Sequence, residues 1–530
     1  MSLLGSIAPP PPEDYVTVCE LHCKFQVSKA GEEDVGANVR GFQKLNYPKV
    51  DVTPESLRPS SSQFSAKSAF LPHSETVWKR SVNAWYEHGI TGVLEEIASS
   101  KSEVSPWLSS LCCGCLAMVR WANSLHGSLF PHLVMSNEEM VDVFSSTKDW
   151  YESPIRAFAW HPHTTKMAIA CRDDSIRIHA LKSDIMPICK HKLQKGISML
   201  TWKPLSASVL AVACQTCILI WHIDPASLST RPSTSSVQVL TQNGHAPVTQ
   251  IDWHPNGDLL VSASPADTAM MVWNVAMETC VALRRIGGGG VSLLRWSPNS
   301  FKVFAAAPCS VFRVWETQAW SCERWSNVLG RCKSACWSPN SDLLLFTVTD
   351  EPVIYSLSFH ESNSPIGGSK TAVKCADLSE IIIEQDGDAI SVGGEIQDMA
   401  WDPTGERLAV IFTGKQDSGN VGHLVAVFRT RLKPVFEIMP CGFVKGYPGD
   451  IPQLISFQPK FNKGALLTVC WLSGRVSFVP LYFIPSDVVT INRLPNHNGV
   501  SANQDSSYHP YIFSTVHGRP FFDGNKQPDL

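Results

Sequence analysis

Charge is scarce in this 530-residue chain: Asp, Glu, Lys and Arg make up only 17%, where about 25% is usual. Such a surface must be rich in Ser, Thr, Asn and Gln, or be partly covered by partners. Neither sign dominates, since 44 basic residues face 48 acidic ones and the net charge is −4. With no broad positive field for phosphates, direct nucleic-acid binding has little electrostatic support. Long apolar runs are missing as well. The most apolar stretch, 207–223, carries Gln215 and Thr216 at its centre and fits two short strands around a turn, so no direct membrane span is expected. The first eight residues have no basic region and too short an apolar core for a secretory signal. Seventeen cysteines, an odd count without an export signal, read as reduced thiols of a soluble cytosolic or nuclear protein.

What the chain has instead is a repeat. An apolar strand ending in an aromatic residue, then any residue, then proline recurs seven times, at Trp160, Trp202, Trp253, Trp296, Trp337, Trp401 and Phe457. The steps are 42, 51, 43, 41, 64 and 56 residues, close to or above the roughly 40–45 of one four-stranded propeller blade. A second anchor, His179, Trp221, Trp273, Trp315, Tyr355, Phe428 or Phe478, follows each first one by 18 to 27 residues. The physical reason for repeated aromatics is that one blade exposes both sheet faces. Its rings are buried only when the next blade stacks on it, at roughly 25 cal/mol per Å2 of apolar area. The expected fold is therefore an all-β, seven-bladed propeller over 151–485, and such a ring is usually a platform for partners. The ring needs a closing strand from outside the run, because few strands are evident after Val479. Residues 15–20 are the first candidate and 511–516 the second. The excursion between Phe359 and Ile396 reads as a surface loop or partner-binding arm.

Ahead of the ring, 71–150 reads as a helical segment packed on it. Ser105 and Pro106 open a helix whose Leu108, Leu111, Cys115, Met118, Val119, Ala122 and Leu125 recur at helical spacing up to Gly127. Ser136 with Glu139 forms a capping box before Met140, Val143 and Phe144, and Ser74 with Glu75 opens a helix carrying Val77, Trp78, Val82 and Trp85. The extension 1–70 holds the candidate closing strand and then a linker. Residues 1–14, about 54–68 and the tail 486–530 read as flexible connectors.

Chemistry-bearing residues mostly take bland readings. Cys112, Cys113 and Cys115 could bind a metal or carry a lipid, but no second ligand pair stands at zinc-finger spacing, so buried core residues are expected. Cys214 and Cys217 sit at a strand–turn–strand junction with no helix N-terminus to lower a thiol pKa, which disfavours a redox role. His161, His163 and His254 occupy turns and are expected to face solvent. Gly287–Gly290 is followed by neither Lys-Ser nor Lys-Thr, and reads as an inter-blade linker, not a phosphate loop. Gly244-His245 matches the pair that precedes an inner strand in WD repeats. No Gly-x-Ser-x-Gly elbow is present, although a Ser-His-Asp triad needs no sequence adjacency. No catalytic residue, cofactor or metal is assigned. The alternative is an enzyme or another WD-repeat adaptor using the central channel. Three or more titratable groups meeting there would favour the enzyme, but the innermost strands hold few acids or bases.

Longer strings carry a more specific likeness: Trp78-Lys-Arg80, Leu125-His-Gly-Ser-Leu-Phe-Pro-His-Leu133, Phe158-Ala-Trp-His-Pro-His163 and Trp202-Lys-Pro-Leu-Ser-Ala-Ser-Val-Leu-Ala-Val-Ala-Cys214. Ser229-Thr-Arg-Pro-Ser233, Val311-Phe-Arg-Val-Trp-Glu316, Ile354-Tyr-Ser-Leu-Ser-Phe359 and Phe461-Asn-Lys-Gly-Ala-Leu-Leu467 extend it. With these, most of 70–480 resembles the aladin family of WD-repeat nucleoporins, with the terminal Trp-Asp replaced by Trp221-His222, Trp273-Asn274 or Trp315-Glu316. The resemblance implies a non-enzymatic component of the nuclear pore complex. It implies attachment at the nuclear envelope through a multi-pass transmembrane nucleoporin, contact with other nucleoporins, a part in nucleocytoplasmic transport and a link to the mitotic spindle.

Overall fold

The computed structural model describes most of residues 2–31, 47–53 and 104–483, with parts of 77–100. The larger stretches outside the described residues are 32–46, 58–76, 360–370, 415–422 and 484–530. The chain divides into two units, Met1–Ile484 and Pro485–Leu530, and the description concerns the first.

Seven antiparallel blades follow one another from Ile155, and their inner strands end on the seven aromatics. These strands are Ile155–Trp160, Met199–Trp202, Gln250–Trp253, Leu293–Trp296, Cys332–Trp337, Ile396–Trp401 and Pro452–Phe457. Each touches the next, and the last touches the first, so the ring is closed. An apolar cluster fills each gap between neighbouring blades. In the last gap, Ile155, Trp160 and Met167 of the first blade meet Leu454, Leu466 and Cys470 of the seventh.

Register explains the spacing of the two anchors. Trp202 pairs with Leu210 and Leu210 with Trp221, so both indoles lie in one line across three strands. The same holds for Trp253–Leu260–Trp273, Trp296–Val303–Trp315 and Trp401–Leu408–Phe428. In the fifth and seventh blades the residues in line are Leu357 and Val479, not Tyr355 and Phe478. Tyr355 lies instead opposite Phe346, where its ring stacks and its hydroxyl reaches Glu351. Trp160, Trp202, Trp253, Trp296, Trp337, Phe457, Trp221, Trp273, Trp315 and Phe428 are buried, whereas Trp401 and Tyr355 are half-buried.

The seventh blade is finished by the N-terminal extension. Tyr15–Leu21 runs parallel to Arg475–Tyr482 at Glu20–Leu481 and Leu21–Tyr482, and Lys24–Lys29 turns back along it. Val50–Asp51 pairs with the opposite end of Arg475–Tyr482. Two separate segments thus cover one sheet edge, which would otherwise offer unpaired backbone groups to another chain. The second candidate strand, 511–516, lies outside the described residues.

Several expectations are corrected. Residues 1–14 are no connector throughout: Leu4 and Ile7 are buried between the fifth and sixth blades. Leu4 fits because Gly393 leaves room, since a Cβ there would stand 2.5 Å from its Cδ1. The 359–396 excursion holds the fourth strand of the fifth blade, Val373–Asp377, and a further hairpin of Ile381–Gln385 with Asp388–Val392. Helix α1 (Pro106–Leu129) buries Ser109, Cys112 and Leu116, a different face from the expected stripe, and leaves Trp107, Leu111 and Met118 exposed by 68%, 55% and 71%. Cys113 and Cys115 are exposed too, not core residues. The helix expected from Ser74 begins outside the described residues; Trp78 and Val82 are exposed.

Candidate interaction site at a capped channel mouth

Helix α2 (Asn137–Phe144) is opened by the Ser136–Glu139 capping box, with Glu139 N donating to Ser136 Oγ at 3.2 Å and Ser136 N to Glu139 Oε2 at 2.7 Å. The cap fixes where the chain enters, and residues 131–150 then touch blade after blade. His132 Nε2 lies 3.1 Å from Pro265 O and 2.9 Å from Gly289 O. Arg331 Nη2 donates to Val143 O at 3.1 Å, with its guanidinium 4.7 Å above the Phe144 ring. Thr147 Oγ1 donates to Arg156 O, Lys148 N to Gln453 O at 3.4 Å, and buried Trp150 Nε1 to Ile197 O at 2.9 Å. The segment therefore bridges the first, second, third, fifth and seventh blades at one mouth of the channel.

Beneath this cap lies a cavity of about 300 Å3, lined by Asp142, Lys148 and Asp149 from the cap, Lys333 and Asp398 from inner strands, and Arg331 just ahead of the fifth one. Charges of both signs balance, and most are satisfied internally. Lys333 Nζ donates to Glu395 Oε1 and Thr413 Oγ1, each at 2.9 Å. Asp398 Oδ1 accepts from Ser334 Oγ at 2.6 Å and Met399 N at 2.9 Å. Burial nevertheless raises Asp398 above the usual carboxylate range, and burial followed by Lys333 holds Lys148 below the usual ammonium range.

More than three titratable groups do meet at this mouth, the arrangement that would favour an enzyme. The cavity lining contains no histidine, and its one cysteine, Cys332, is buried with its thiol pushed far up by burial. Ser292 Oγ is engaged by Ala306 O at 3.3 Å. Thr413 Oγ1 is engaged as well, accepting from Lys333 Nζ at 2.9 Å.

A Ser-His-Asp geometry does exist, inside the third blade. His245 Nδ1 lies 2.8 Å from Asp267 Oδ2 and Nε2 lies 2.8 Å from Ser262 Oγ, which also accepts from Trp273 Nε1 at 2.8 Å. Every donor has an acceptor when Nδ1–H donates to Asp267 and Nε2 accepts the hydroxyl proton. Burial works against the Asp267 charge, but hydrogen bonds from His245 and Ala269 N outweigh it and hold the carboxyl below its usual range. Ser262 is 0% and His245 2% exposed, so no substrate reaches the hydroxyl. This chain of bonds anchors Trp273 in its blade. Gly244-His245 was the sequence signal for it; the serine and aspartate, 17 and 22 residues beyond the histidine, carried none.

The other sequence candidates settle as structural groups. His161 is 1% exposed, correcting the solvent-facing expectation: Nε2 lies 3.1 Å from Ser206 O, and Nδ1 accepts from His163 N and Thr164 N. His254 Nδ1 accepts from Asn256 N, with its ring edge-on to Trp296 at 4.8 Å. Cys214 and Cys217 are buried, and Cys214 is pushed up by its hydrogen bond to Cys217 and by desolvation. Gly290, at φ 143°, lets two backbones meet, for a Cβ would stand 1.9 Å from Pro265 O.

Sequence reasoning missed a group at the ring closure. Arg407 Nε and Nη2 donate to the two carboxylate oxygens of Glu20 at 3.0 and 2.7 Å, and both side chains are almost wholly buried. Ligand atoms of Glu20, Cys23 and Cys441 lie within 4.8 Å of one another. A cation there would sit against the guanidinium that already occupies both Glu20 oxygens, so the set does not fit a metal. Arg407 is an interior strand residue and Glu20 a residue of the extension, and nothing local in either sequence announces the other.

Comparison with known proteins agrees with this architecture. The chain matches the Aladin seven-bladed propeller family over residues 136–482. It is 28% identical over 357 residues to Aladin of Arabidopsis thaliana, covering 63% of this chain and 77% of that protein. A transcriptional corepressor of the same plant, LEUNIG_HOMOLOG, is 20% identical over 181 residues, 34% of this chain and 21% of that one. Among solved structures, the β-propeller domain of Myceliophteria thermophila Cps50 (Swd1) aligns with a TM-score of 0.46 at 14% identity, over 62% of this chain and 96% of that one. The chain belongs to the aladin family of seven-bladed propellers.

Proposed function

We propose that this propeller scaffold is a non-enzymatic component of the nuclear pore complex. It is held on the cytoplasmic side of the nuclear envelope by a multi-pass transmembrane nucleoporin, contacts other nucleoporins, supports nucleocytoplasmic transport and associates with spindle poles in mitosis. Family membership and the relative named Aladin support the pore assignment. The observation that carries the scaffold reading is the exposed face of α1. Trp107, Leu111 and Met118 stand in solvent, and residues 104–119 contain no charged side chain. An uncharged apolar face of this kind marks a contact with another protein. No described helix is long and apolar enough to cross a membrane, so the reading assigns membrane attachment to the partner. A stable contact buries on the order of 1,600 Å2 in total, which α1 with one propeller face can supply.

The test is imaging of the tagged full-length chain at the envelope. Trp107→Asp with Leu111→Asp is expected to abolish the rim signal while the purified protein keeps its melting temperature. Deleting 486–530 is expected to leave the signal intact. Loss of the signal on that deletion, or its survival in the double variant, would move the address away from the helix and ring.

A further inference from the structure

We infer that Cys23 and Cys441 form an oxidation site, at which a peroxide converts two thiols into a disulfide that locks the N-terminal hairpin onto the sixth blade. The inference does not rest on the pore assignment.

The two sulfurs come from positions far apart in the chain, yet they face each other across the ring closure within 4.8 Å. They differ in the way a two-step oxidation requires. Cys23 occupies the hairpin turn at φ 60° and is exposed, and Arg407 Nη2 lies 4.0 Å from its sulfur. Its exposure lets a peroxide reach the sulfur from solvent. Cys441 is partly covered on the strand Glu437–Lys445. Desolvation first, and Glu20 next, keep its thiol protonated. Cys23, the exposed sulfur of the two, therefore reacts first and the partly covered Cys441 resolves.

The bookkeeping of atoms closes. The Cys23 thiolate displaces hydroxide from hydrogen peroxide, giving the sulfenic acid. The Cys441 sulfur then attacks that sulfur, the S–S bond forms, and the sulfenic oxygen leaves as water with the Cys441 proton. Two thiols lose two electrons and two protons, and the peroxide is reduced to two waters.

The place of the bond gives it its effect. The hairpin is already clipped to the sixth blade: Lys445 N donates to Thr17 Oγ1 at 3.0 Å, and Lys445 Nζ reaches Pro11 O and Pro12 O. Phe25 lies over Gly442, next to Cys441, where a Cβ would stand 2.3 Å from its ring. A covalent link here makes opening of the last blade conditional on reduction, because the hairpin can no longer leave on its own.

The experiment uses the purified, fully reduced full-length chain. Hydrogen peroxide is added in increments, remaining thiols are alkylated, and cross-linked peptides are mapped by mass spectrometry. The expected result is that the Cys23–Cys441 peptide forms at lower peroxide than any other pair among the 17 cysteines, with a raised melting temperature that falls back on reduction. Cys23→Ser, at an exposed position, is expected to fold normally and to lose both. In Cys441→Ala, the sulfenic acid at Cys23 persists and is captured by dimedone. Absence of the linked peptide, or oxidation of Cys23 no sooner than exposed Cys113 and Cys115, would overturn the assignment. So would one equivalent of zinc in the isolated protein that is lost with Cys23→Ser, since the cluster would then be a metal site.

Discussion

Glu20→Gln is the sharpest perturbation available, because it keeps the shape of the side chain and removes only the charge facing Arg407. Both carboxylate oxygens are bonded, at 2.7 and 3.0 Å, and the two side chains are exposed by 0% and 4%. Solvent cannot replace the lost partner. Removing one member of such a pair leaves an uncompensated buried charge, typically costing about 3 kcal/mol or more. Roughly 400 ordered residues at ~2.1 cal/mol/K each give an unfolding entropy near 0.8 kcal/mol/K, so the melting temperature should fall by about 4 °C. The local effect is larger in proportion. If the hairpin opens independently of the ring, the same energy raises its open population by roughly a hundredfold. Limited proteolysis should then release residues 1–31 well before the blades are cut, and amide exchange should quicken along Tyr15–Leu21. The double variant Glu20→Met, Arg407→Met removes both charges and should recover most of the loss. Equal losses in the single and double variants, or unchanged protection of the hairpin in Glu20→Gln, would refute the idea that this pair holds the closure.

Three further outcomes follow from the structure. Ser262→Ala leaves Trp273 Nε1 and His245 Nε2 without their acceptor and donor; thermal melting should show a loss of about 1–3 kcal/mol for each group. A fluorophosphonate probe should leave the wild-type serine unlabelled, whereas labelling would make the buried triad catalytic. Asp252, whose carboxyl burial raises to about 6, contributes stability fully below about pH 4 and loses it as pH rises through 6, because the folded state holds the proton more tightly. The advantage of Asp252→Asn in melting temperature should therefore grow between pH 4 and 7, and a pH-independent difference would remove Asp252 as its source. Gly442→Ala drives a Cβ into the Phe25 ring and should loosen the hairpin to proteases, with Phe25→Leu in the same chain restoring much of the protection; failure of that rescue would mean the clash is relieved elsewhere.

The blades were legible because the same physical demand recurs seven times. A strand that must bury a large ring against its neighbour writes Trp or Phe at a fixed offset from the turn proline, and Trp202, Trp253 and Trp296 stand where that rule puts them. It misplaced Tyr355 and Phe478, since any apolar residue can fill the aligned position and Leu357 and Val479 do so. Helix α1 was legible as a helix, yet its buried face was not: Leu111, Cys115 and Met118 have helical spacing, but the side turned inward carries Ser109, Cys112 and Leu116. Periodicity tells that a face is apolar, not which neighbour covers it. The cap over the channel and the Glu20–Arg407 pair lay beyond reading for a different reason. Their partners are set by the topology of the closed ring, so no local pattern encodes them.

Closure by the N-terminus is also a long-range contact. Glu20 and Arg407 are separated by 387 positions, so their contact closes most of the chain into one loop. The entropy of closing so long a loop grows slowly with length, each doubling costing roughly 0.6 kcal/mol, and the penalty is therefore modest. What the chain gains is a last sheet whose edge is covered once Tyr15–Leu21 and Val50–Asp51 dock. Until they do, Arg475–Tyr482 presents an unpaired edge, and Arg407 lacks its counter-charge. The buried ion pair thus acts as a register mark: Tyr15–Leu21 is correctly placed along the edge only where Glu20 meets the guanidinium, and a slip of one residue would turn the carboxylate to the other face of the sheet.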